Sequence, residues 1–461
     1  MSVEIDPSSF RDPSGFVFRR AGSLHRQVNA CYREDYELLR ESGLYAELVG
    51  AGLLIPHVES DEPPALPELA YRVITPERIP FISYPYEWCY GQLQDAALAT
   101  LDIQRRALAR GMTLKDASAY NIQFHRGRPL LVDTLSFTRY REGQVWDAYR
   151  QFCQQFLAPL ALMALVDVRL GLLLREHIDG IPLDLAAALL PARSWLRPGL
   201  ATHLHLHARA QARHADTTRP APEPDAGRSF GRTAMEGLID SLHGTVAGLE
   251  WAPPRAGWSA YYYESSYSAE ARAAKEAAVR AWVERVHPAT VWDLGANTGR
   301  YSRIAAEGGA YTVAMDSDAA CVQALYRAGE GRGRLLPLVM DLTNPSPALG
   351  WAHAERLALQ ARGPADLVLA LALVHHLAIS NNLPLARLAD TLAGLAPRLV
   401  IEFVPKEDPQ VQRLLGLRRD IFADYTGEGF ERAFAGHFRT VERRPLPGTG
   451  RVLYLLEAIA R

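Results

Sequence analysis

Residues 291–299 read VWDLGANTG: an apolar run closes on Asp293, and two glycines follow, Gly295 and Gly299. Glycine reaches backbone conformations closed to other residues, so such a turn brings the main chain close to a ligand and bends sharply into a helix. Further apolar runs come at helix-length intervals: YTVAMD (311–316), LLPLVMD (335–341), ADLVLALALVHHL (365–377) and RLVIEFV (398–404). Near-continuous apolar strands separated by helices predict a parallel sheet covered on both faces. The last two runs, FRTVERRPL and RVLYLLEAIA, are joined by PGTG and predict a hairpin that closes the sheet. Ligands of such sheets bind at the carboxyl ends of the strands.

Three of those ends are acidic. Asp316 ends the second run, where a carboxylate can accept both hydroxyls of a ribose. Asp341 ends the third, within reach of an adenine amino group. A dinucleotide turn follows GxGxxG, whereas this one is DxGxxxG. Asp293 repels a pyrophosphate and suits a cationic ligand. Together the turn and the acidic ends resemble the class I S-adenosylmethionine-dependent methyltransferases, over roughly residues 260–461. The resemblance implies an α/β, Rossmann-like seven-stranded sheet with its last strand reversed, and S-adenosylmethionine as the bound methyl donor. It implies that Asp293, Gly295, Asn297 and Gly299 line the methionine end, that Asp316 holds the ribose and that Asp341 lies near adenine. The strings IEFVPKEDPQV (401–411), LALVHHL and FADY with its following FERAF resemble more narrowly the nodulation-protein (NoeA-like) methyltransferases. That likeness spans most of the chain and does not imply the methyl acceptor.

His375 and His376, after the fourth strand, are the candidates for the acceptor side, since an imidazole exchanges a proton near neutral pH. One of them capping a helix or packing inside is the structural alternative. Glu402 and Lys406 come second, with mutual or other pairing as their alternative. Trp258, Tyr261, Tyr262, Tyr263, Glu264 and Tyr267 precede a helix that carries Lys275. They form either a lid over a sulfonium, by cation–π attraction, or a packed extension. His203, His205, His207 and His214 cluster locally, and metal ligation is not expected of them.

Upstream, residues 112–137 read MTLKDASAYNIQFHRGRPLLVDTLSF. Asp116, Asn121 five residues on, and Asp133 after a short hairpin resemble the core of protein-kinase-like and aminoglycoside-phosphotransferase-like enzymes. The resemblance covers about residues 10–200 and implies an α+β domain with Asp116 as base and Asn121 and Asp133 as Mg²⁺ ligands. The departures are large. HRD is replaced by LKD and DFG by Asp133-Thr134-Leu135, no glycine-rich GxGxxG loop occurs, and no lysine precedes Lys115. Arg20 and Arg26 are the substitutes for the strand lysine, although the two residue types are not interchangeable. A degenerate kinase-like domain without Mg-ATP turnover is therefore expected.

The organisation expected is a kinase-like domain over 1–207, a linker over 208–232 rich in Ala, Arg, Pro and Asp, and a methyltransferase domain with a helical lead-in over 233–461. A net charge of -2 removes the electrostatic case for nucleic acid. A small-molecule or glycan-type acceptor is the partner expected. Four scattered cysteines without a CxxC, and no leader-like start, fit a cytoplasmic setting. The apolar stretch Phe156–Leu174 carries Asp167 and Arg169, which are costly in lipid, so it predicts a buried helix and no membrane span. The function expected is methyl transfer to an unidentified acceptor, with the N-terminal domain in an accessory role. A bifunctional kinase–methyltransferase and a non-catalytic donor-binding protein are the alternatives.

Overall fold

The computed structural model describes residues 3–215, 230–253, 267–329, 333–416 and 418–459. The chain forms two compact units. The first is Met1–Ala252 with Leu349–Arg356, and the second is Pro253–Ala348 with Leu357–Arg461.

The first unit opens with an antiparallel sheet of five strands, β1 (Val3–Ile5), β2 (Gly15–Arg20), β3 (Ser23–Asn29), β4 (His57–Ser60) and β5 (Ala70–Pro76), in the order β1-β2-β3-β5-β4. Helices Arg33–Glu41 and Leu44–Gly50 connect β3 to β4. The long helix Tyr90–Ala109 follows, with thirteen of its residues buried. Beyond it lie β6 (Met112–Leu114), paired with β9 (Phe137–Arg139), and the hairpin of β7 (Ile122–His125) and β8 (Arg128–Leu131). The expected hairpin after Asn121 is β7–β8. The apolar stretch after Phe156 is the buried helix Ala158–Leu165, broken at Val166. Among the described residues no helix is long and apolar enough to cross a membrane.

The sequence reading ended this unit ahead of a linker over 208–232. Its compact body instead extends to Ala252. Helix Arg232–Ala247 buries Met235, Ile239, Leu242 and Val246. Gln94 Nε2 in the long helix donates to the carbonyls of Val246 (3.0 Å) and Leu249 (2.8 Å), which anchors that helix in the first unit. The supposed linker begins as the helix His207–Ala215, and residues 216–229 lie outside the described residues.

The second unit is built on β10 (Thr290–Leu294), β11 (Tyr311–Asp316), β12 (Leu335–Val339), β13 (Leu367–Ala370), β14 (Arg398–Phe403), β15 (Phe438–Pro445) and β16 (Val452–Ala458). Their order is β12-β11-β10-β13-β14-β16-β15. β10 to β14 pair in parallel, and β16 alone runs against its neighbours. The apolar runs thus become the central strands, buried on both faces as their lack of alternation requires. On one face Val279, Trp282 and Val283 of helix Ala269–Val286 and Ile304 and Ala305 of helix Arg300–Glu307 pack with Val291, Leu367, Leu369, Val400 and Leu453. This packing fixes where the carboxyl ends of β10 to β14 converge.

Candidate active site

The turn after β10 stands on three backbone bonds. Gly295 N–H and Ala296 N–H donate to the carbonyl of Met315 (2.9 and 3.0 Å), and Gly299 N–H donates to that of Ala296 (2.9 Å). Gly295 (φ 74°) and Gly299 (φ 80°) both lie in the left-handed region. A side chain at Gly299 would sit 2.5 Å from Leu325 Cδ1. These positions therefore accept glycine for both backbone and space. Asn297 shares the left-handed conformation (φ 51°), which asparagine tolerates better than most residues. Its Oδ1 receives the Thr298 N–H at 2.7 Å.

Asp316, at the end of β11, joins this turn directly. Its Oδ2 accepts the Asn297 N–H at 2.7 Å and its Oδ1 accepts the Asp318 N–H at 2.8 Å. Burial raises its pKa, against those two bonds. Asp293 is buried, and burial pushes its carboxyl up to about 6 despite the 2.5 Å bond from Ser302 Oγ. Asp341 follows β12 in the open, its Oδ1 capped by the backbone and hydroxyl of Thr343 at 2.8 and 2.7 Å. Met340 N–H donates to the Asp316 carbonyl (2.8 Å), which ties the ends of β11 and β12 together. Five of the six donor-site candidates thus cluster within the turn and the end of β11, and Asp341 follows at the end of β12.

A second cluster lies at the end of β14, where only part had been anticipated. Glu402 accepts Lys275 Nζ at 2.6 Å and Tyr267 Oη at 2.5 Å, and Lys275 also donates to Tyr267 Oη at 3.1 Å. Arg451 holds Asp408 through Nε (2.7 Å) and Nη2 (3.0 Å), and its Nη1 lies 3.6 Å from Glu402. Burial opposes the Glu402 charge, but Lys275 and Arg451 outweigh it and hold the carboxylate below its usual range. Glu402 is therefore engaged inside the protein. Lys406 pairs with Asp420 near the surface (2.8 Å). Tyr267 is turned toward Glu402, while Trp258, Tyr261, Tyr262, Tyr263 and Glu264 lie outside the described residues. Sequence reasoning missed Arg451 and Asp408. The one available signal was the scarcity of lysine, with Lys275 set in an alanine-rich helix.

His375 follows β13 with its side chain wholly buried, and among the described residues neither ring nitrogen has a hydrogen-bond partner. Burial, helped by His376, Arg451 and Lys275, holds it well below the ordinary imidazole range. The His376 ring centroid is 4.1 Å away, and burial lowers that group to about 4. Two residues before His375, Leu373 Cδ1 would lie 3.2 Å from a Cβ at Gly295, so this loop packs against the glycine turn.

In the first unit, Asp116 and Asp133 are close enough for the Asp133 charge to add to the burial that raises Asp116. Asp116 accepts Ser118 N–H (2.9 Å) and Gln151 Nε2 (2.8 Å), and Asn121 hydrogen-bonds to it as well. Arg26, on β3, lies 2.7 Å from Asp133. Asp116, Asn121 and Asp133 therefore lie close together. The histidine cluster is dispersed among its own partners: His203 bonds Tyr149 Oη and Ser241 Oγ (both 2.8 Å), His205 bonds Ser194 Oγ (2.8 Å) and His207 stacks on Tyr149. The His214 side chain lies outside the described residues.

No family model matches the chain. Among solved structures it is similar to the N-methyltransferase NodS of Bradyrhizobium japonicum WM9, at 10% identity and TM-score 0.32, over 42% of this chain and 99% of that one. It is also similar to the magnesium protoporphyrin IX methyltransferase of Synechocystis PCC 6803, at 16% and 0.31, over 46% and 87%. A third is WbdD in complex with a kinase inhibitor, at 17% and 0.31, over 43% of this chain and 42% of that one, so the match spans about two fifths of WbdD. The nodulation protein NoeA of Rhizobium meliloti (strain 1021) is 36% identical over 456 residues, 97% of this chain and 95% of that protein. The sheet has seven strands with one reversed strand beside β14, and by its likeness over nearly the whole chain the protein belongs to the family of the nodulation protein NoeA.

Proposed function

We propose that the protein transfers a methyl group from S-adenosylmethionine to a small-molecule or glycan-type acceptor. The observation that supports this most is the Asp316 carboxylate, clamped by two backbone N–H groups against the left-handed Asn297 at the end of β11. Each of its oxygens keeps a lone pair for a ribose hydroxyl. Asp293, Asp316 and Asp341 give this rim negative charge, and the one neighbouring lysine, Lys275, is already bound to Glu402. Such a rim suits a sulfonium and an amino group, and it disfavours a polyphosphate. The residues thus fit the donor: Gly295, Asn297 and Gly299 would follow its methionine end, with Asp293 behind them, Asp316 its ribose and Asp341 its adenine. When bound, the donor supplies an electrophilic methyl group. His375 and His376 stand on the acceptor side.

We read the first unit as a kinase-like domain in an accessory role. The five-stranded antiparallel sheet, the β7–β8 hairpin between Asn121 and Asp133, and the meeting of those residues with Asp116 support that reading. Arg26 on β3 stands in for a strand lysine, but its pairing with Asp133 competes with a metal ion for that carboxylate. The convergence of the three side chains also favours a second reading, a bifunctional kinase–methyltransferase. Labelled-donor and labelled-ATP assays on the same full chain separate the two. Transfer of label from the donor alone supports the first reading, and Asp116-dependent phosphorylation of a small acceptor supports the second.

A further inference from the structure

Among the described residues of the second unit, His375 is a buried side chain whose two ring nitrogens both lack a hydrogen-bond partner. A buried polar group without a partner costs about 1–3 kcal/mol, and proteins retain few of them. Here both ring nitrogens are in that state, inside a side chain with no exposure. The ring belongs to the loop that packs on the Gly295 turn through Leu373, and it lies near enough to Lys275 and Arg451 to feel their charges. Its neighbours explain its charge state. His376 follows it in sequence, Lys275 comes from helix Ala269–Val286 and Arg451 from the segment before β16, and all three oppose a positive ring. A neutral imidazole offers one N–H donor and one lone pair.

Resting on the methyltransferase reading, we infer that His375 binds the acceptor and that the group it binds is an uncharged hydroxyl. A hydroxyl is the match for a neutral ring, since it gives a proton to one partner and takes one from another. An ammonium group has no lone pair to give until it loses a proton. A carboxylate leaves the ring's lone pair unused and competes with Glu402 for Lys275. As the hydroxyl oxygen gives an electron pair to the methyl carbon, the pair of the broken carbon–sulfur bond stays on sulfur and the hydroxyl proton passes to the ring's free nitrogen. The positive charge lost by the sulfonium reappears on the imidazole, so the net charge is unchanged, and the ring gives that proton up again because burial, His376, Arg451 and Lys275 all disfavour its charged form.

The test uses the full chain, methyl-labelled donor and three probe sets at equal concentration: methyl glycosides, primary amines and carboxylic acids. Transfer is expected to the glycosides alone. His375→Leu and His375→Gln should each lower it at least about 100-fold, the scale of a lost proton acceptor. Calorimetry should find donor affinity within about threefold of wild type in both variants, and ¹⁵N NMR should find the His375 ring titrating well below the ordinary imidazole range. Preferred transfer to amines or acids, transfer to none of the probes, a ring that titrates near 6.5, or undiminished transfer in His375→Leu overturns the inference. Wild-type protein that does not bind the donor overturns the methyltransferase reading itself, and the same calorimetry makes that failure distinct.

Discussion

The backbone N–H of Asn297 donates to Oδ2 of Asp316 at 2.7 Å, so the end of β11 holds the glycine turn that follows β10. Asp316 Oδ1 takes the Asp318 N–H as well, and both carboxylate oxygens face donors. Asp316→Asn must turn an NH₂ group toward one of those N–H groups. We expect a loss of about 1–3 kcal/mol in urea unfolding and at least a tenfold loss in donor affinity. Unchanged donor affinity in a folded variant would move the ribose away from this carboxylate.

Lys275 and Glu402 form a buried ion pair at 2.6 Å. Removing one partner strands the other charge. Glu402→Gln and Lys275→Met should each destabilise the protein by about 3–5 kcal/mol, whereas the double variant recovers much of the loss, because no lone charge remains. The double-mutant cycle in urea supplies the check, and strictly additive single effects would contradict the pairing.

Asp293 gives the site a pH dependence. Its folded pKa of about 6 lies above its unfolded value, so the folded state binds the extra proton and this group lowers stability as pH rises from about 4 through 6. A cationic donor favours the ionised carboxylate. Donor affinity should therefore climb by up to about tenfold per unit as pH rises toward 6, level off above 7, and lose this slope in Asp293→Asn. Calorimetry at several pH values reads it directly, and an affinity that falls with rising pH would contradict the assignment. Stability itself runs the other way on acidification. His57, His203 and His376 are held at about 4 chiefly by burial, so the unfolded chain takes up protons first, and stability falls as pH drops from about 6.5 toward 4.

The sheet was legible because its central strands are buried on both faces, so LVLA and LVIEF have no polar alternation to blur them. The glycine turn and Asp316 were legible for a local reason: strand, turn and helix follow within a few residues. What joins distant segments was not. Lys275 and Glu402 are 127 residues apart, and nothing near either one indicates the other. The helix Arg232–Ala247 has an apolar face visible in sequence, but not what that face covers, and so the unit boundary was set too early. His375 was recognised as a candidate by its place after β13. Its complete burial depends on surrounding elements and could not be read from its neighbours in sequence.

In the first unit, Arg26 and Asp133 pair at 2.7 Å. A nucleotide brings several negative charges, and here two carboxylates lie close together with Arg26 already engaged by one of them. We expect no ATP hydrolysis by the full chain with Mg²⁺ present, and Asp133→Asn should leave methyl transfer within about threefold of wild type if folding survives. Rapid phosphate release that Asp116→Ala abolishes would contradict an accessory role.

What the turn after β10 binds decides the chemistry of the second unit. Calorimetric titration of the full chain with S-adenosylmethionine should show one site with Kd on the order of micromolar. Gly295→Val should abolish binding, since its backbone is left-handed at φ 74° and the added side chain enters the space beside Leu373. Binding of NAD in place of the donor, or donor binding that survives Gly295→Val in a folded protein, would contradict it.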